Sequence, residues 1–195
     1  MATDLKEIGK FMDSEGLKYD AHPEKSYLLT GFAMNNYEDS EGQKRLRMVI
    51  LLEENGEFLK VFAPGAYKCA PGPNALAILQ AFMYIHWRTK MLQYEYDPSD
   101  GEIQAMIELP LEDSKLTKKQ FLRVLAAMPQ LVDRYDAVVR AAIEKGKFII
   151  PPDEEDMMAK LLEVLGEVGP DGLREALDEI KKKKGSKGGG GPKEL

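Results

Sequence analysis

The sequence contains a single cysteine, Cys69, and only two histidines, His22 and His86. One cysteine excludes an intramolecular disulfide, and the spacings that separate it from the two histidines match no zinc pattern. The glycine-lysine loop that cradles phosphate, the GxSxG elbow and the HExxH pair are also missing. The sequence therefore predicts a protein that is not an enzyme and that uses no cofactor and no metal.

Long hydrophobic runs are scarce as well. The longest apolar stretch, residues 75–87, is interrupted by Gln80 and His86, and it falls short of the ~20 residues that a membrane span requires. The first ten residues carry Asp4 and Glu7 and have no apolar centre, so they do not resemble a secretory signal. We therefore expect a cytoplasmic protein that does not bind a membrane.

Charge is distributed unevenly along the 195 residues. The chain is 44% hydrophobic and 31% charged, an ordinary globular composition, and its formal net charge is −6. The net charge is −3 over residues 1–150, −8 over residues 151–180 and +5 over residues 181–195. These changes predict a globular domain at 1–150, an acidic amphipathic helical extension at 151–181 and a disordered basic Lys/Gly-rich tail at 182–195.

The hydrophobic periodicity predicts the order α-βββ-α-ββ-α in the first domain. Helices are expected at residues 4–15, 75–90 and 117–145, with Thr3 and Asn74 as N-caps of the first two. Strands are expected at residues 26–34, 45–53, 57–63, 92–96 and 103–109. Asn55-Gly56 predicts a type I′ turn, and residues 97–101 predict a second hairpin turn. Helices and strands that do not alternate indicate an α+β fold with an antiparallel sheet.

Two helices have features with a specific structural consequence. The second helix is apolar almost all round, which predicts burial on several sides at the centre of the domain. The third has a continuous apolar seam that contains Pro129, which predicts a kink or two abutting helices. The seam consists of Phe121, Leu125, Met128, Val132, Tyr135, Val139 and Ala142.

Three groups of polar residues could carry chemistry. His86 lies on the most apolar helix, where a hydrogen-bonded core histidine is commoner than a ligand. Glu95 and Glu102 could face each other across a hairpin as a carboxylate pair, although exposed pairs are usually only solvated. The lysines at 181–184 could contact nucleic acid or an anionic membrane, but no arginine or aromatic residue is interleaved with them, so nucleic-acid binding is the less favoured alternative.

The extension has two short apolar stripes at helical spacing, separated by a Pro-Asp-Gly break at residues 170–172. Helices this short do not persist alone in water. They therefore either complete the core of their own domain or form a detachable arm that binds a partner or covers a groove. The residues predicted to bind a partner are Met157, Leu161, Leu165, Leu173, Leu177 and Ile180.

Three segments resemble a known family. They are NALAILQAFMYIHW at residues 74–87, YEYDPSDGEIQAMIELPLED at 94–113 and the helix that ends in DAVVRAAIEKG at 136–146. Over residues 3–146 the chain resembles the YbjN-type family (bacterial sensory transduction regulators), which has a type III secretion chaperone-like fold. The resemblance implies a bacterial protein that binds a polypeptide partner through its sheet or helices, as a possible homodimer, with no catalytic residues. A non-enzymatic protein-binding or chaperone-like regulator is thus expected; the alternative is a nucleic-acid- or ribosome-associated protein that uses the lysine tail.

Overall fold

The protein is represented by a computed structural model that describes residues 3–69 and 72–151. Within these ranges the helices are α1 (Leu5–Asp13), α2 (Ala75–Arg88) and α3 (Lys118–Lys145). The strands are β1 (Asp20–His22), β2 (Tyr27–Ala33), β3 (Arg45–Glu53), β4 (Phe58–Lys68), β5 (Gln93–Tyr96) and β6 (Glu102–Pro110). The α+β class is confirmed, and the predicted order gains one short strand, β1. Apart from Pro151, the predicted extension and tail lie outside the described residues.

The six strands form one antiparallel sheet in the order β1-β2-β3-β4-β6-β5. Strand β6 lies between β4 and β5, so the second hairpin extends the sheet at the β4 side. Strand β1 pairs with β2 over only three residues and forms the opposite edge. A strand this short has too few residues to show the alternation that marks a strand in a sequence.

One face of the sheet is covered by the helices. Leu28, Ile50, Val61 and Ile107 are successive partners across β2, β3, β4 and β6, and all four are buried. Side chains alternate between the two faces of a strand, so their neighbours in sequence point away from the helices. Helical side chains such as Ile8, Met12, Ile85 and Phe121 complete the same core.

Helix α3 begins and ends with strong local signals. The Thr117 hydroxyl accepts a hydrogen bond from the Gln120 N–H, and the Gln120 side chain accepts one from the Thr117 N–H, which forms a capping box. Gly146 closes the helix at a φ of 61°. The helix continues without a break through Pro129, so the alternative of two abutting helices is wrong. All seven residues of the predicted seam are buried, and that prediction is confirmed.

The other helix starts differ from the prediction. The side chain that caps α1 belongs to Asp4, which accepts a hydrogen bond from the Glu7 N–H at 2.7 Å, while Thr3 donates to the Glu7 carboxylate instead. Asn74 precedes α2, but its side chain makes no capping bond. Its Nδ2 donates to the carbonyl of Ile143 at 2.8 Å, which ties the start of α2 to the end of α3.

Two turns also differ. Glu53 pairs with Phe58, so a four-residue connection joins β3 and β4 instead of the predicted two-residue type I′ turn. Glu54, Asn55 and Gly56 all have positive φ there. Strand β4 does not end at Pro64: it continues to Lys68 after an irregularity in its pairing with β6 between Ala63 and Tyr67. A bulge is one of the few places where a sheet tolerates proline, which explains why the predicted stop is wrong.

Candidate functional site

Helix α2 exposes four large apolar side chains. Leu76, Leu79, Met83 and Trp87 are 68%, 62%, 65% and 77% exposed. Their spacing of three, four and four residues places them on one face of the helix, and we call this row the α2 stripe. Burial of α2 on several sides is therefore wrong for the described residues. Contiguous exposed apolar surface of this kind marks interaction sites in folded proteins.

The opposite face of α2 holds the helix against the domain. Ala77, Ile78, Ala81 and Ile85 are buried. Their small or branched side chains allow α2 to lie close to its neighbours, and α3 is the helix that it contacts most. The two faces explain why the sequence of the helix is apolar all round. One apolar face packs in the core, and the other is exposed to solvent.

An apolar cavity of about 260 Å³ adjoins the α2 stripe. Leu79 and Ile78 of α2 line it together with Cys69, which follows β4, and with Tyr96 and Ile103 of the second hairpin. Because Leu79 belongs to both features, the cavity and the stripe form one continuous surface. Such a surface can accept an apolar side chain in the cavity and a longer apolar segment along the helix.

Aromatic rings flank the C-terminal end of the stripe. The Tyr84 ring lies 6.3 Å from the Trp87 ring and 5.7 Å from the Phe148 ring, between centroids. The Arg88 guanidinium lies 5.8 Å from the Trp87 ring centroid. Tryptophan and arginine are among the residue types that most often dominate the binding energy of protein interfaces.

The two histidines and Cys69 do not form a site. His86 Nε2 accepts a hydrogen bond from the Tyr94 N–H at 3.0 Å, and its ring stacks on the Tyr94 ring. This confirms the interpretation of His86 as a hydrogen-bonded structural residue. His22 lies on β1, whereas His86 is bound to β5 at the other edge of the sheet. Among the described residues no group of three or more acidic, histidine or cysteine side chains could hold a metal ion.

The two carboxylates of the second hairpin are engaged separately. Glu95 accepts a hydrogen bond from the Gln104 side chain at 2.7 Å, and Gln104 is its direct partner across the hairpin. Glu102 accepts from the Gly65 N–H at 2.7 Å. Both side chains line the same open depression at the hairpin, but each carboxylate is hydrogen-bonded to a different group.

Asp136 is a buried charged residue that the sequence analysis did not single out. Its carboxylate accepts hydrogen bonds from the Tyr67 hydroxyl at 3.1 Å and from Arg140 Nε at 2.8 Å. Burial raises the pKa of Asp136, and the bonds from Arg140 and Tyr67 oppose that shift. Arg140 also donates to the carbonyl of Glu38 at 2.6 Å. Because these bonds link α3, β4 and the loop after β2, the group is structural.

The outer face of the sheet is a second, less apolar surface. Leu29, Val49 and Phe62 are successive partners across β2, β3 and β4, and each is half-buried. Lys60 forms an ion pair with Glu108 at 3.7 Å, and its ammonium lies 5.4 Å from the Phe62 ring centroid. Charged side chains thus already cover part of this face, and the α2 stripe exposes more of its apolar area.

The predicted partner-binding residues all belong to the extension. Met157, Leu161, Leu165, Leu173, Leu177 and Ile180 lie outside the described residues, as do the lysines at 181–184 on which the nucleic-acid alternative depends. Within residues 3–69 and 72–151, no helix is both long enough and apolar enough to cross a membrane.

Comparison with solved structures shows what this fold is similar to. YbjN, a candidate transcription regulator from E. coli, superposes with a TM-score of 0.53 at 12% identity, covering 77% of this chain and 98% of YbjN. Two further structures superpose less well: a chain of the ExsC-ExsE complex at TM-score 0.44 and 18% identity (73% and 98% covered), and a chain of the HopA1-SchA chaperone-effector complex at 0.43 and 13% (68% and 89%). No family model and no curated protein matches the sequence. The protein therefore has a YbjN-like fold.

Proposed function

We propose that this protein is a non-enzymatic, chaperone-like binding module that holds a polypeptide partner against the α2 stripe. The exposure of Leu79, Met83 and Trp87 is the observation that carries the proposal. Leaving large apolar side chains in water is unfavourable by about 25 cal/mol per Å², so a partner that covers them gains affinity. The YbjN-like fold and the structural use of His86 and Asp136 agree with binding better than with catalysis.

The surface indicates what the partner must offer. A row of apolar side chains on one helix, beside an apolar cavity, fits a partner helix that places residues at i, i+3, i+4 and i+7 against it. One larger apolar side chain of that partner would enter the cavity at Leu79. The homodimer and the cytoplasmic location that the sequence predicts remain part of the proposal, and light scattering on the purified chain tests the first of them.

The experiment compares three full-length proteins. The double variant Leu79→Glu/Met83→Glu places two charges in the stripe, and Gln130→Glu/Ala137→Glu places the same two charges at exposed positions of α3. Proteins recovered on the wild type are identified, produced in pure form and titrated calorimetrically against all three. We expect one partner to bind the wild type and the α3 control equally and the stripe variant at least tenfold more weakly. Equal binding by all three proteins would contradict the proposal.

A further inference from the structure

The second hairpin, which consists of β5, β6 and their turn, is strongly acidic. No lysine or arginine occurs between Lys90 and Lys115, whereas seven acidic residues do. Four of their carboxylates lie at or next to the turn, and Lys68, a β4 residue that pairs with β6, offsets one of them. The four are Glu95, Asp97, Asp100 and Glu102. This end of the hairpin therefore has a net negative charge.

Neutral donors hold these carboxylates in place. Glu95 and Glu102 accept hydrogen bonds from an amide side chain and a backbone N–H. Asp97 accepts one from the Ser99 N–H at 2.8 Å, and Asp100 accepts one from the Glu102 N–H at 2.9 Å. Such bonds position a carboxylate without cancelling its charge, and those from Ser99 hold the pKa of Asp97 below its usual value. The negative charges are thus ordered before a partner binds.

Strand β5 brings this charge to one edge of the α2 stripe. The Tyr94 ring lies 4.6 Å from the Phe82 ring, between centroids, and two residues later Tyr96 lines the apolar cavity together with Leu79. The residues on either side of Tyr96 in the sequence are acidic, and both line an open depression to which Tyr96 also belongs. The apolar cavity and the acidic depression therefore meet at one tyrosine.

The opposite edge of the stripe has a different charge. The end of α3 lies there, since the Phe148 ring is 5.7 Å from the Tyr84 ring. Lys145 and Lys147 are exposed in this segment, and Glu144 forms an ion pair within α3. The surface is therefore apolar along its centre and acidic only on the side of the second hairpin.

We infer that the partner of the α2 stripe is an amphipathic helix with one basic edge, and that its lysine or arginine side chains face the second hairpin. Opposite charges across an interface speed association and select the partner, whereas like charges oppose it. A second copy of this chain offers no such complement, because its net charge is −6. The inference rests on the proposed function, since it adds the charge of the partner that covers the same surface.

Three synthetic helical peptides of about four turns serve as probes. The first has leucines spaced three, four and four residues apart, as in the stripe, with lysines along one edge of the leucine row and glutamines along the other. The second has glutamines along both edges. The third keeps the lysines of the first and has alanines in place of the leucines. A carboxylate about 10 Å from a lysine in water changes affinity by about twofold, so several carboxylates together give a measurable preference.

Each peptide is titrated into the full-length protein at low salt, and the emission of Trp87, the only tryptophan of the chain, reports occupation of the stripe. We expect the lysine peptide to bind at least about fivefold more tightly than the glutamine peptide, with a smaller ratio at high salt. In Glu95→Gln/Glu102→Gln the ratio should fall to less than half, because two charges are lost and both acceptors are kept. The control Glu53→Gln/Glu24→Gln, at exposed positions on the other side of the sheet, should leave it unchanged.

The outcomes separate this inference from the proposed function. Equal binding of the lysine and glutamine peptides would overturn only the inference, as would a ratio that falls equally in the control or a leucine-free peptide that binds as tightly as the lysine peptide. The glutamine peptide tests the proposed function without charge: it must lose affinity for Leu79→Glu/Met83→Glu, and equal binding to that variant would contradict the function itself. No binding by either leucine peptide would contradict both. A dimer in light scattering that Leu79→Glu/Met83→Glu dissociates and the lysine peptide does not would show that a second copy covers the stripe.

Discussion

Asp133, on α3, holds the loop that follows β2. Its Oδ1 accepts hydrogen bonds from the N–H groups of Asn35, Asn36 and Tyr37 at 3.0, 2.7 and 2.9 Å. Partial burial alone would raise the pKa of Asp133, but the three N–H groups outweigh it and hold this pKa below its usual value. The folded state therefore selects the ionised carboxylate.

The magnitude follows from the number and exposure of these bonds. A hydrogen bond to a charged group contributes about 1.5–3 kcal/mol, but this loop borders water, so its N–H groups can be rehydrated when the carboxylate is removed. We expect Asp133→Ala to lower the free energy of unfolding by about 2–3 kcal/mol. Asp133→Asn keeps an acceptor oxygen and loses the charge, so it should cost about 1 kcal/mol.

Urea unfolding followed by circular dichroism measures both variants, with Glu53→Gln at the exposed end of β3 as the control. Because folding lowers the pKa of Asp133, its contribution is complete above the unfolded value of about 3.9 and is lost as the pH falls through the folded value. The gap between wild type and Asp133→Asn should therefore be constant near neutral pH and shrink below about pH 4. A cost under about 0.5 kcal/mol for Asp133→Ala, or a gap that persists in acid, would refute this reasoning.

Three further predictions concern the frame around the stripe. Gly146→Ala should lower the free energy of unfolding by about 1–3 kcal/mol, measured by urea, because φ is 61° and Asn74 occupies the space. Tyr67→Phe should cost about 1–2 kcal/mol in the same assay, because it removes a donor to the buried Asp136. Burial raises the pKa of Tyr37 to about 12. The free energy of unfolding should therefore fall as the pH rises from about 10, where the unfolded tyrosine ionises, toward 12. The absorbance titration of folded Tyr37→Phe should lack the ionisation near pH 12 that the wild type shows.

Local signals account for what could be predicted from the sequence. Thr117 and Gly146 bound α3 where the pattern places its ends, because a capping box and a left-handed glycine act within a few residues. The bounds of β3 are also predicted correctly, because its apolar run lies between a charged start at Arg45 and Arg47 and the polar residues that follow Leu52. These features depend on short stretches of chain, and a single sequence contains all the information that determines them.

The candidate site depended on information that the sequence does not carry locally. Hydrophobicity indicates that the residues of α2 favour burial, but it does not indicate whether the surface that buries them belongs to the same domain. The exposed apolar row of α2 therefore could not be distinguished from the buried one. The bonds of Asp133 to the loop at residues 35–37 join positions 96 to 98 residues apart. The predicted end of the strand at residue 63 is wrong because the irregularity that accommodates Pro64 forms against β6, about forty residues later.

Both ends of α2 are fixed by side-chain bonds to other elements, and this rigidity bears on binding. Asn74 reaches the carbonyl of Ile143, and His86 receives the N–H of Tyr94. A surface that is ordered before it binds avoids the cost of ordering it on association. We predict that His86→Ala lowers the free energy of unfolding by about 1 kcal/mol and speeds hydrogen exchange of the amides at residues 82–88, whereas the exposed Gln80→Ala leaves them unchanged. Unchanged protection in His86→Ala would show that packing against α3 alone holds the stripe in place.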